Sequence, residues 1–319
     1  MESSDAAAGP LIEAGAEIVM APRAGPLPEG ELRRCLEGCD AVIASSDPFT
    51  RAVLAASPQL RLIARWGVGV DNIDLGAATE RGVAVANAPG LTTEAVADYA
   101  FTMMLALARR LCPARELMAA GGWGEFRGVD VWRKTLGIVG FGAIGRAVTR
   151  RAAGFSMRVL AYDPRVSPDE VAAAGARPVS LRELLAEADF VTLHAALTPD
   201  TVGLIDAAAL RAMKPTAYLI NAARGRLVDE AALLRALQEG WIAGAALDVY
   251  AEEPLPPAHP LRRLPGCLAL PHNAFNTVET AAAVNGAVVG NILAVMRGER
   301  PPGLVNTDLV GIHSSVEHR

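Results

Sequence analysis

The chain has 319 residues, which at roughly 150 residues per domain is enough for two domains. It carries 30 basic and 35 acidic side chains, a formal charge of −5, so its charge gives no reason to expect a nucleic acid or an anionic membrane as a partner. Its four cysteines are too few for a disulfide framework, and no cluster of histidines and cysteines predicts a bound metal.

No segment predicts secretion or a membrane span. The first ten residues, MESSDAAAGP, lack the basic and then apolar order of a secretory signal, so we expect a cytoplasmic protein. The longest stretch without charge, residues 280–296, is 17 residues long and contains two glycines and two asparagines, whereas a spanning helix needs about 20 mostly apolar residues. We expect this stretch to be a helix packed within the protein.

In chain order, the first segments alternate between helix and strand patterns. SSDAAAGPLIEAG predicts loop and helix where an opening strand is expected, so either that strand is missing or the sequence begins late. Strands are then predicted at AEIVMAP, DAVIASS, LRLIARWG and GVAVANAPG, with helices at EGELRRCLEG and FTRAVLAA between them. This order predicts a small α/β unit.

The rest of the chain predicts a larger α/β unit. An apolar helical segment, residues 93–111, is long enough to connect two units, and six strands alternating with helices follow, at TLGIVGF, MRVLAYD, ADFVTLH, AYLINAA, GAALDVY and CLALPH. Parallel strands with crossover helices form a doubly wound sheet. The helix starts agree, because Ser180 and Glu183 form a capping-box pattern and Asp206 and Asp229 precede apolar helices.

A glycine motif follows the first strand of the larger unit. The segment LGIVGFGAIG places Gly140, Gly142 and Gly145 in GxGxxG spacing before a predicted helix, and the next strand ends in Asp163. Such glycines also serve ordinary turns, but in a dinucleotide site they allow close backbone approach, the helix N-terminus faces the pyrophosphate and the acid binds the adenosine ribose. Asp163 should repel a 2′-phosphate, so we predict NAD(H), while Arg165 leaves NADP(H) open.

Three later strands are followed by polar residues: Arg224 after LINAA, Glu253 after DVY and His272 after CLALP. Open α/β sheets bind ligands at these strand ends. Hydride transfer at a carbinol or carbonyl carbon requires the oxygen to lose or gain a proton, which suits an imidazole oriented by a carboxylate, and a guanidinium suits a substrate carboxylate. Taken singly, each residue could equally be structural: a capping or core histidine, a solvated acid, a surface arginine.

Together these motifs resemble the D-isomer-specific 2-hydroxyacid dehydrogenases. The resemblance runs from residue 61 to 306 and rests on ARWGVGVDNID, ERGVAVANAPG, TEAVADYAF, KTLGIVGFGAIGRAV, NAARGRLVDEAALLRAL, AALDVYAEEP and LPHNAF. It implies a Rossmann cofactor domain at residues 95–284 and a flavodoxin-like substrate domain formed by residues 1–94 and 285–319. It also implies hydride transfer between NAD(H) and a small D-2-hydroxyacid or 2-oxoacid.

The resemblance further implies the residues of the site. Arg224 binds the substrate carboxylate, His272 is the general acid and base, and its partner is Glu253, because the family's acid directly precedes a proline. The substrate-binding candidates are Arg65, Val68 and Gly69, of which the last two offer backbone amides. The cofactor-binding candidates are Gly140, Gly142, Ala143, Ile144, Gly145, Asp163, His194, Ala222 and Asp248, the last matching the acid that receives the nicotinamide carboxamide.

Departures from the family pattern leave the substrate open. Ala196 replaces a proline after His194, and Thr92, Asp98 and Arg133 replace asparagine, glutamate and glycine. NAFNT after His272 is closer to the D-lactate branch, whereas ARWGVGVDN is closer to the D-3-phosphoglycerate branch. His194 has no acidic neighbour in sequence, so it could instead serve loop packing.

The resemblance implies a homodimer joined through the cofactor domain, with the arm around Trp123 at the interface. Two other functions stay open. Some relatives of this fold are cofactor-sensing transcriptional corepressors, and a phosphite dehydrogenase could use the same histidine and glutamate. Trp66 and Arg65 could favour an acid with a second anionic group, such as a phosphate or phosphonate, or could equally be a core tryptophan and a surface arginine. Formate oxidation is disfavoured, because it has no hydroxyl proton to remove.

Overall fold

The computed structural model describes residues 2–22 and 26–309, which fall into two units. The first unit comprises residues up to Thr92 and from Asn276 onward, and the second comprises Thr93–Phe275. The first change of unit lies next to the one expected at residue 94. The return expected at residue 285 falls inside a helix that packs in the core of the first unit, and the observed return lies just before that helix begins.

The first unit is built on a three-stranded parallel sheet with strand order β1-β2-β3. Its elements are α1 (Glu2–Glu13), α2 (Glu29–Cys35), β1 (Ala41–Ala44), α3 (Arg51–Ala55), β2 (Leu62–Arg65), α4 (Leu75–Glu80) and β3 (Ala84–Ala86). Successive side chains of a strand face opposite sides of the sheet. Accordingly, Leu62 and Ala64 share a core with Leu11 of α1, whereas Ile63 shares another with Leu32 of α2 and Leu54 of α3.

The strand predicted at AEIVMAP is wrong, because residues 16–22 form no strand. Two of its large apolar side chains, Val19 and Met20, are 67% and 62% exposed. Ala16 and Ile18 are partly buried against the core of this unit but pair with no strand. The small sheet has three strands among the described residues.

The second unit contains a seven-stranded parallel sheet of order β10-β9-β8-β7-β4-β5-β6. Its elements are α5 (Thr93–Ala108), α6 (Leu111–Ala119), β4 (Thr135–Val139), α7 (Ala143–Gly154), β5 (Arg158–Tyr162), α8 (Pro168–Ala173), β6 (Arg177–Pro178), α9 (Leu181–Glu187), β7 (Phe190–Leu193), α10 (Ala207–Ala212), β8 (Tyr218–Asn221), α11 (Glu230–Gln238), β9 (Gly244–Leu247) and β10 (Cys267–Ala269). Short 3₁₀ helices lie at Gly225–Leu227 and Pro260–Arg262.

Most predictions for this unit are confirmed. All six predicted strands are present, and β4, β7 and β9 are buried at every residue, as expected for a parallel sheet covered on both faces. The capping box of Ser180 and Glu183 and the caps of Asp206 and Asp229 are formed. The two-residue edge strand β6 was not predicted, since it has no apolar run and contains a proline, which only edge positions tolerate.

Helix α12 (Val278–Met296) returns the chain to the first unit. By length and composition it could cross a membrane, but 44% of its most apolar window is buried. Val284, Val288 and Ile292 join the core that includes Leu62 and Ala64 of β2. The prediction of a packed helix at residues 280–296 is therefore confirmed.

Candidate active site

The glycine loop runs from the end of β4 into α7, where the strand order of the larger sheet reverses. Doubly wound sheets bind ligands at this reversal. Gly140 has a φ of +92°, and a Cβ on it would lie 2.4 Å from the backbone nitrogen of Ala195. A Cβ on Gly145 would lie 2.4 Å from the Gly140 oxygen. These glycines allow the loop and α7 to pack closely against neighbouring backbone.

Gly142 has a different environment. It is the N-cap residue of α7, provides no side-chain cap, and a Cβ added to it would meet nothing within 4 Å. Helix α7 begins with Ala143 and Ile144, and no capping side chain covers its first backbone amides. A helix N-terminus with uncovered amides attracts phosphate. The open space at Gly142 fits the pyrophosphate of a dinucleotide.

Asp163 lies directly after β5, and its carboxylate connects two loops. Oδ2 accepts a hydrogen bond from the Phe141 amide at 2.8 Å, and Oδ1 accepts one from the Arg165 amide at 2.9 Å. The carboxylate is thereby fixed beside the glycine loop, at the position where an acid can bind the adenosine ribose.

His272 and Glu253 form a close pair. The Nδ1 atom of His272 lies 2.6 Å from Oε2 of Glu253, while the other carboxylate oxygen accepts a hydrogen bond from the Tyr250 amide at 2.9 Å. The His272 and Glu253 side chains are 29% and 25% exposed, so the pair is largely shielded from solvent but remains accessible to a bound molecule. Because Nδ1 faces a carboxylate, it carries a proton, and Nε2 is left for a reacting group.

The ionised form of Glu253 is favoured. Burial acts to raise the pKa of its carboxyl, but the hydrogen bond and charge of His272, the Tyr250 amide and the charge of Arg224 outweigh burial, so the pKa is held below its ordinary value. A carboxylate that stays ionised stabilises an imidazolium beside it.

Arg224 follows β8, the strand next to the one that leads to Glu253. Asn221 donates to the Arg224 carbonyl at 2.9 Å and accepts from the Ala223 amide at 3.0 Å, which fixes the turn. A Cβ on Gly225 would lie 1.9 Å from the carbonyl carbon of Tyr250. Only glycine lets the Arg224 turn approach the loop of Glu253 this closely. Half-buried Ala222 lies in the same turn.

Asp248 is fully buried and holds the segment after His272. Its two oxygens accept hydrogen bonds from the amides of Asn273 at 2.9 Å and Ala274 at 2.7 Å. Burial raises the pKa of Asp248, although these amides and the charge of His272 oppose the rise. Burial and the nearby Asp248 carboxylate raise the pKa of Tyr99 to about 12. His272 itself has a φ of +56°, an uncommon conformation that these contacts help to hold.

His194 lies at the end of β7, next to Gly140. Its Nε2 atom is 2.9 Å from the Thr192 hydroxyl, and among the described residues its buried Nδ1 atom has no hydrogen-bond partner. Burial lowers the pKa of His194 to about 4, so the ring is neutral at neutral pH. A neutral imidazole with an unpaired nitrogen fits both expectations for this residue, a contact with the cofactor or loop packing.

The loop after β2, in the first unit, has its carbonyl groups turned inward. The Arg65 guanidinium donates to the Trp66 oxygen at 2.6 Å and to the Gly69 oxygen at 2.9 Å, and Asn87 donates to the Val68 oxygen at 2.7 Å. Within the described ranges, the amides of Val68 and Gly69 donate to no protein acceptor. Arg65 is 8% exposed, so it braces this loop from inside and is not a surface residue.

The described residues contain no group of three or more histidine, cysteine, aspartate or glutamate side chains that could hold a metal ion. The four cysteines are unpaired.

Comparison with known proteins assigns the family. A family model described as "D-isomer specific 2-hydroxyacid dehydrogenase, NAD binding domain" matches residues 101–274, more than half of the chain. The chain belongs to the D-isomer specific 2-hydroxyacid dehydrogenase family. The family and the α/β fold class expected from the sequence are thus confirmed, and the chain is a nicotinamide-dependent 2-hydroxyacid dehydrogenase.

Relatives of this dehydrogenase cover most of its length. A glyoxylate reductase of Korarchaeum cryptofilum is 45% identical over 87% of this chain and 86% of the relative, and one of Thermococcus kodakarensis is 42% identical over 93% and 92%. Among solved structures, the TT0316 protein of Thermus thermophilus superposes with a TM-score of 0.85 at 41% identity, covering 94% of this chain and 96% of that one. Apo D-lactate dehydrogenase of Escherichia coli gives 0.82 at 31% identity and the same coverage.

Several contacts of the dehydrogenase site were not predicted from sequence. Glu230, at the start of α11, accepts a hydrogen bond from the Ala251 amide in the loop of Glu253. Tyr99 was considered only as part of an apolar helix. The one signal that could have indicated Glu230 is a second acid directly after the Asp229 cap.

Proposed function

We propose that this dehydrogenase reduces a small 2-oxoacid to the corresponding 2-hydroxyacid, with His272 as the proton donor. The observation that carries the proposal is the His272 to Glu253 contact of 2.6 Å, with the Arg224 turn packed against the same loop. These residues follow β10, β9 and β8, three adjacent strands at one edge of the sheet.

In this mechanism, NADH supplies the hydride to C2 of the substrate when it is bound. As negative charge develops on the carbonyl oxygen, Nε2 of His272 donates its proton, and the product hydroxyl forms. The Glu253 carboxylate holds Nδ1 and stabilises the imidazolium form before the transfer. Arg224 orients the substrate through a paired contact with its carboxylate, which a planar guanidinium suits.

The cofactor would be held by the glycine loop, the first turn of α7 and Asp163. We propose NAD(H) over NADP(H), since the Asp163 carboxylate is fixed by two amides at the end of β5 and would repel a 2′-phosphate. Fluorescence titration should give a lower Kd for NADH than for NADPH, and Asp163→Ala should narrow the difference. An unchanged preference in Asp163→Ala would contradict this role.

The loop of Val68 and Gly69 is proposed to bind the substrate carboxylate. Its carbonyl groups are occupied by Arg65, Asn87 and Ala88, which leaves amides free to face an anion. Arg65 would act here by bracing the loop. We expect Arg65→Met to raise KM for the oxoacid while the Kd for NADH stays unchanged, because the glycine loop belongs to the other unit.

We propose glyoxylate and similarly small 2-oxoacids as substrates. The support comes from the relatives in Korarchaeum and Thermococcus, which are named glyoxylate reductases. NADH oxidation should be measured with glyoxylate, hydroxypyruvate, pyruvate, phosphohydroxypyruvate and phosphonopyruvate. The highest kcat/KM is expected with one of the first two, and a clear preference for a phosphorylated or phosphonate acid would overturn this assignment.

The catalytic roles have a direct test. We expect His272→Asn to lower kcat at least about 100-fold, the scale of general acid catalysis, with NADH still bound. Arg224→Gln should raise KM and lower kcat, whereas Arg226→Gln, an equal change at the exposed neighbour on the same turn, should behave like the wild type. Full activity in His272→Asn would disprove the proton-transfer role.

We also propose a homodimer formed through the second unit. Support comes from exposed apolar side chains between residues 111 and 132: Leu111 (55%), Met118 (55%), Trp123 (89%) and Trp132 (56%). Light scattering should report a dimer for the wild type and a shift towards monomer for Trp123→Glu.

We also propose a cytoplasmic location for the protein, which cell fractionation can check.

A further inference from the structure

The loop that carries Glu253 is held by a second carboxylate. This loop connects β9 to the 3₁₀ helix Pro260–Arg262. Two consecutive amides at its start donate to carboxylates: Tyr250 to Oε1 of Glu253 at 2.9 Å, and Ala251 to Oε1 of Glu230 at 2.6 Å.

Glu230 also lies near the far end of the same loop. Its Oε2 atom is 3.9 Å from Nε2 of His259, and the two side chains are 19% and 27% exposed. One carboxylate thus lies beside residue 251 and residue 259 of the loop. Between them, the Arg262 guanidinium donates to the carbonyl groups of Leu255 and Pro256, which fixes the middle of the loop.

The residue that bears this carboxylate is itself well anchored. Glu230 is the first residue of α11, whose N-cap Asp229 accepts a hydrogen bond from the Ala232 amide at 3.0 Å. Ala232, Leu233 and Ala236 of the same helix are fully buried in the core of the second unit. The position of Glu230 is therefore set by the core and not by the loop.

We propose that Glu230 is a positioning residue for the catalytic pair: by holding the Ala251 amide at the start of the loop, it keeps Glu253 in line with His272. This inference rests on the proposed function of that pair. Proton transfer depends steeply on geometry, and a displacement of 1 Å can cost about 100-fold in rate. Partial release of one anchor should cost less, about tenfold in kcat.

Three substitutions of Glu230 distinguish the effect of its side-chain length from the effect of its charge. Glu230→Ala removes the acceptor, and Glu230→Asp keeps the charge but is too short to hold Ala251, so both should lower kcat about tenfold. Glu230→Gln keeps an acceptor for the Ala251 amide and should recover most of kcat. The matched control is Glu252→Gln, an exposed acid in the same loop, which should equal the wild type. The Kd for NADH should stay within about twofold in all four variants. Glu230→Asp also covers the case in which Glu230→Ala fails to fold.

A further readout distinguishes positioning from a general structural effect. In a Glu253→Gln background, Glu230→Asp should have no further effect on kcat, since the residue through which it acts is already altered. A merely structural role would lower Tm and would lower kcat in that background as well.

A measurement that does not need turnover completes the test. In protein labelled with ¹⁵N-histidine, the Nδ1 proton of His272 is assigned by its loss in His272→Asn, and its downfield resonance should shift upfield in Glu230→Asp. If the wild type reduces no 2-oxoacid, the proposed function fails while this resonance still reports on Glu230. An unchanged resonance, wild-type kcat in Glu230→Asp, or an equal loss of kcat in the Glu253→Gln background would each overturn the positioning role.

Discussion

Gly142→Ala should separate cofactor binding from folding. The backbone φ of Gly142 is −73°, which alanine can adopt, and the added Cβ would meet nothing within 4 Å. Alanine at an N-cap stabilises a helix somewhat less than glycine does, but it also makes the unfolded chain less flexible, which favours folding. Because these two effects oppose each other, we expect the free energy of unfolding to change by less than about 1 kcal/mol. The same Cβ would enter the space proposed for the pyrophosphate, where overpacking costs about 1–3 kcal/mol.

That cost corresponds to a rise of about 5- to 150-fold in the Kd for NADH. Gly140→Ala is the matched comparison, because its Cβ would strike backbone atoms of His194 and Ala195 and its φ is +92°. The left-handed conformation costs about 1–2 kcal/mol and the overlap about 1–3 kcal/mol, so Tm should fall by about 4–20 °C.

The assay combines NADH fluorescence titration with thermal unfolding of both variants without cofactor. Gly142→Ala should keep its Tm and lose affinity, whereas Gly140→Ala should lose Tm. If Gly142→Ala bound NADH with wild-type affinity, the pyrophosphate could not lie against this turn. If Gly140→Ala kept its Tm, the close contact between the glycine loop and the end of β7 would be wrong.

Three further predictions concern titration and close packing. Burial lowers the pKa of His194 from 6.5 to about 4, so as the pH falls the unfolded chain binds a proton before the folded protein does. The free energy of unfolding should therefore drop by up to about 3 kcal/mol between pH 6.5 and 4. In urea unfolding, His194→Gln should make the free energy of unfolding depend less on pH over this range. Glu253→Gln should lower kcat at least about tenfold at neutral pH, where the carboxyl with its lowered pKa is ionised, with an unchanged Kd for NADH. Gly225→Ala should lower both Tm and kcat, since its Cβ would overlap the Tyr250 carbonyl, while Gly286→Ala, in α12 with open space around it, should leave kcat unchanged and raise Tm slightly.

The larger unit was predictable because its strands are buried on both faces. Buried parallel strands are continuous apolar runs, and β4, β7 and β8 were visible as such in the sequence, whereas the two-residue edge strand β6 was not. In the smaller unit the same signal misled at AEIVMAP, where Val19 and Met20 are exposed and Ile18 packs against a core without pairing with a strand. An apolar run shows only that a segment is apolar in composition. Whether a neighbouring strand pairs with the segment depends on the rest of the chain.

The candidate catalytic residues could be located because parallel topology brings strand ends together. Arg224, Glu253 and His272 are far apart in sequence, but each lies in the loop that follows a strand, and β8, β9 and β10 are neighbours. The order of the strands, together with the residue types, therefore sufficed to predict a common edge. The contact of Nδ1 with the Glu253 carboxylate needed the loop paths in addition.

The contacts that hold the loops are harder to predict from the sequence than the strands are, for a physical reason. A backbone amide is the same at every non-proline residue, so the bonds from Ala251 to Glu230 and from Asn273 and Ala274 to Asp248 constrain only the acceptor's residue type. Gly225 is the exception, because close backbone approach admits only a residue without a Cβ. Glycines and acids next to the strand-end residues are therefore the positions at which the sequence does indicate loop geometry. In this dehydrogenase, Gly225 and Glu230 both contact the loop that carries Glu253.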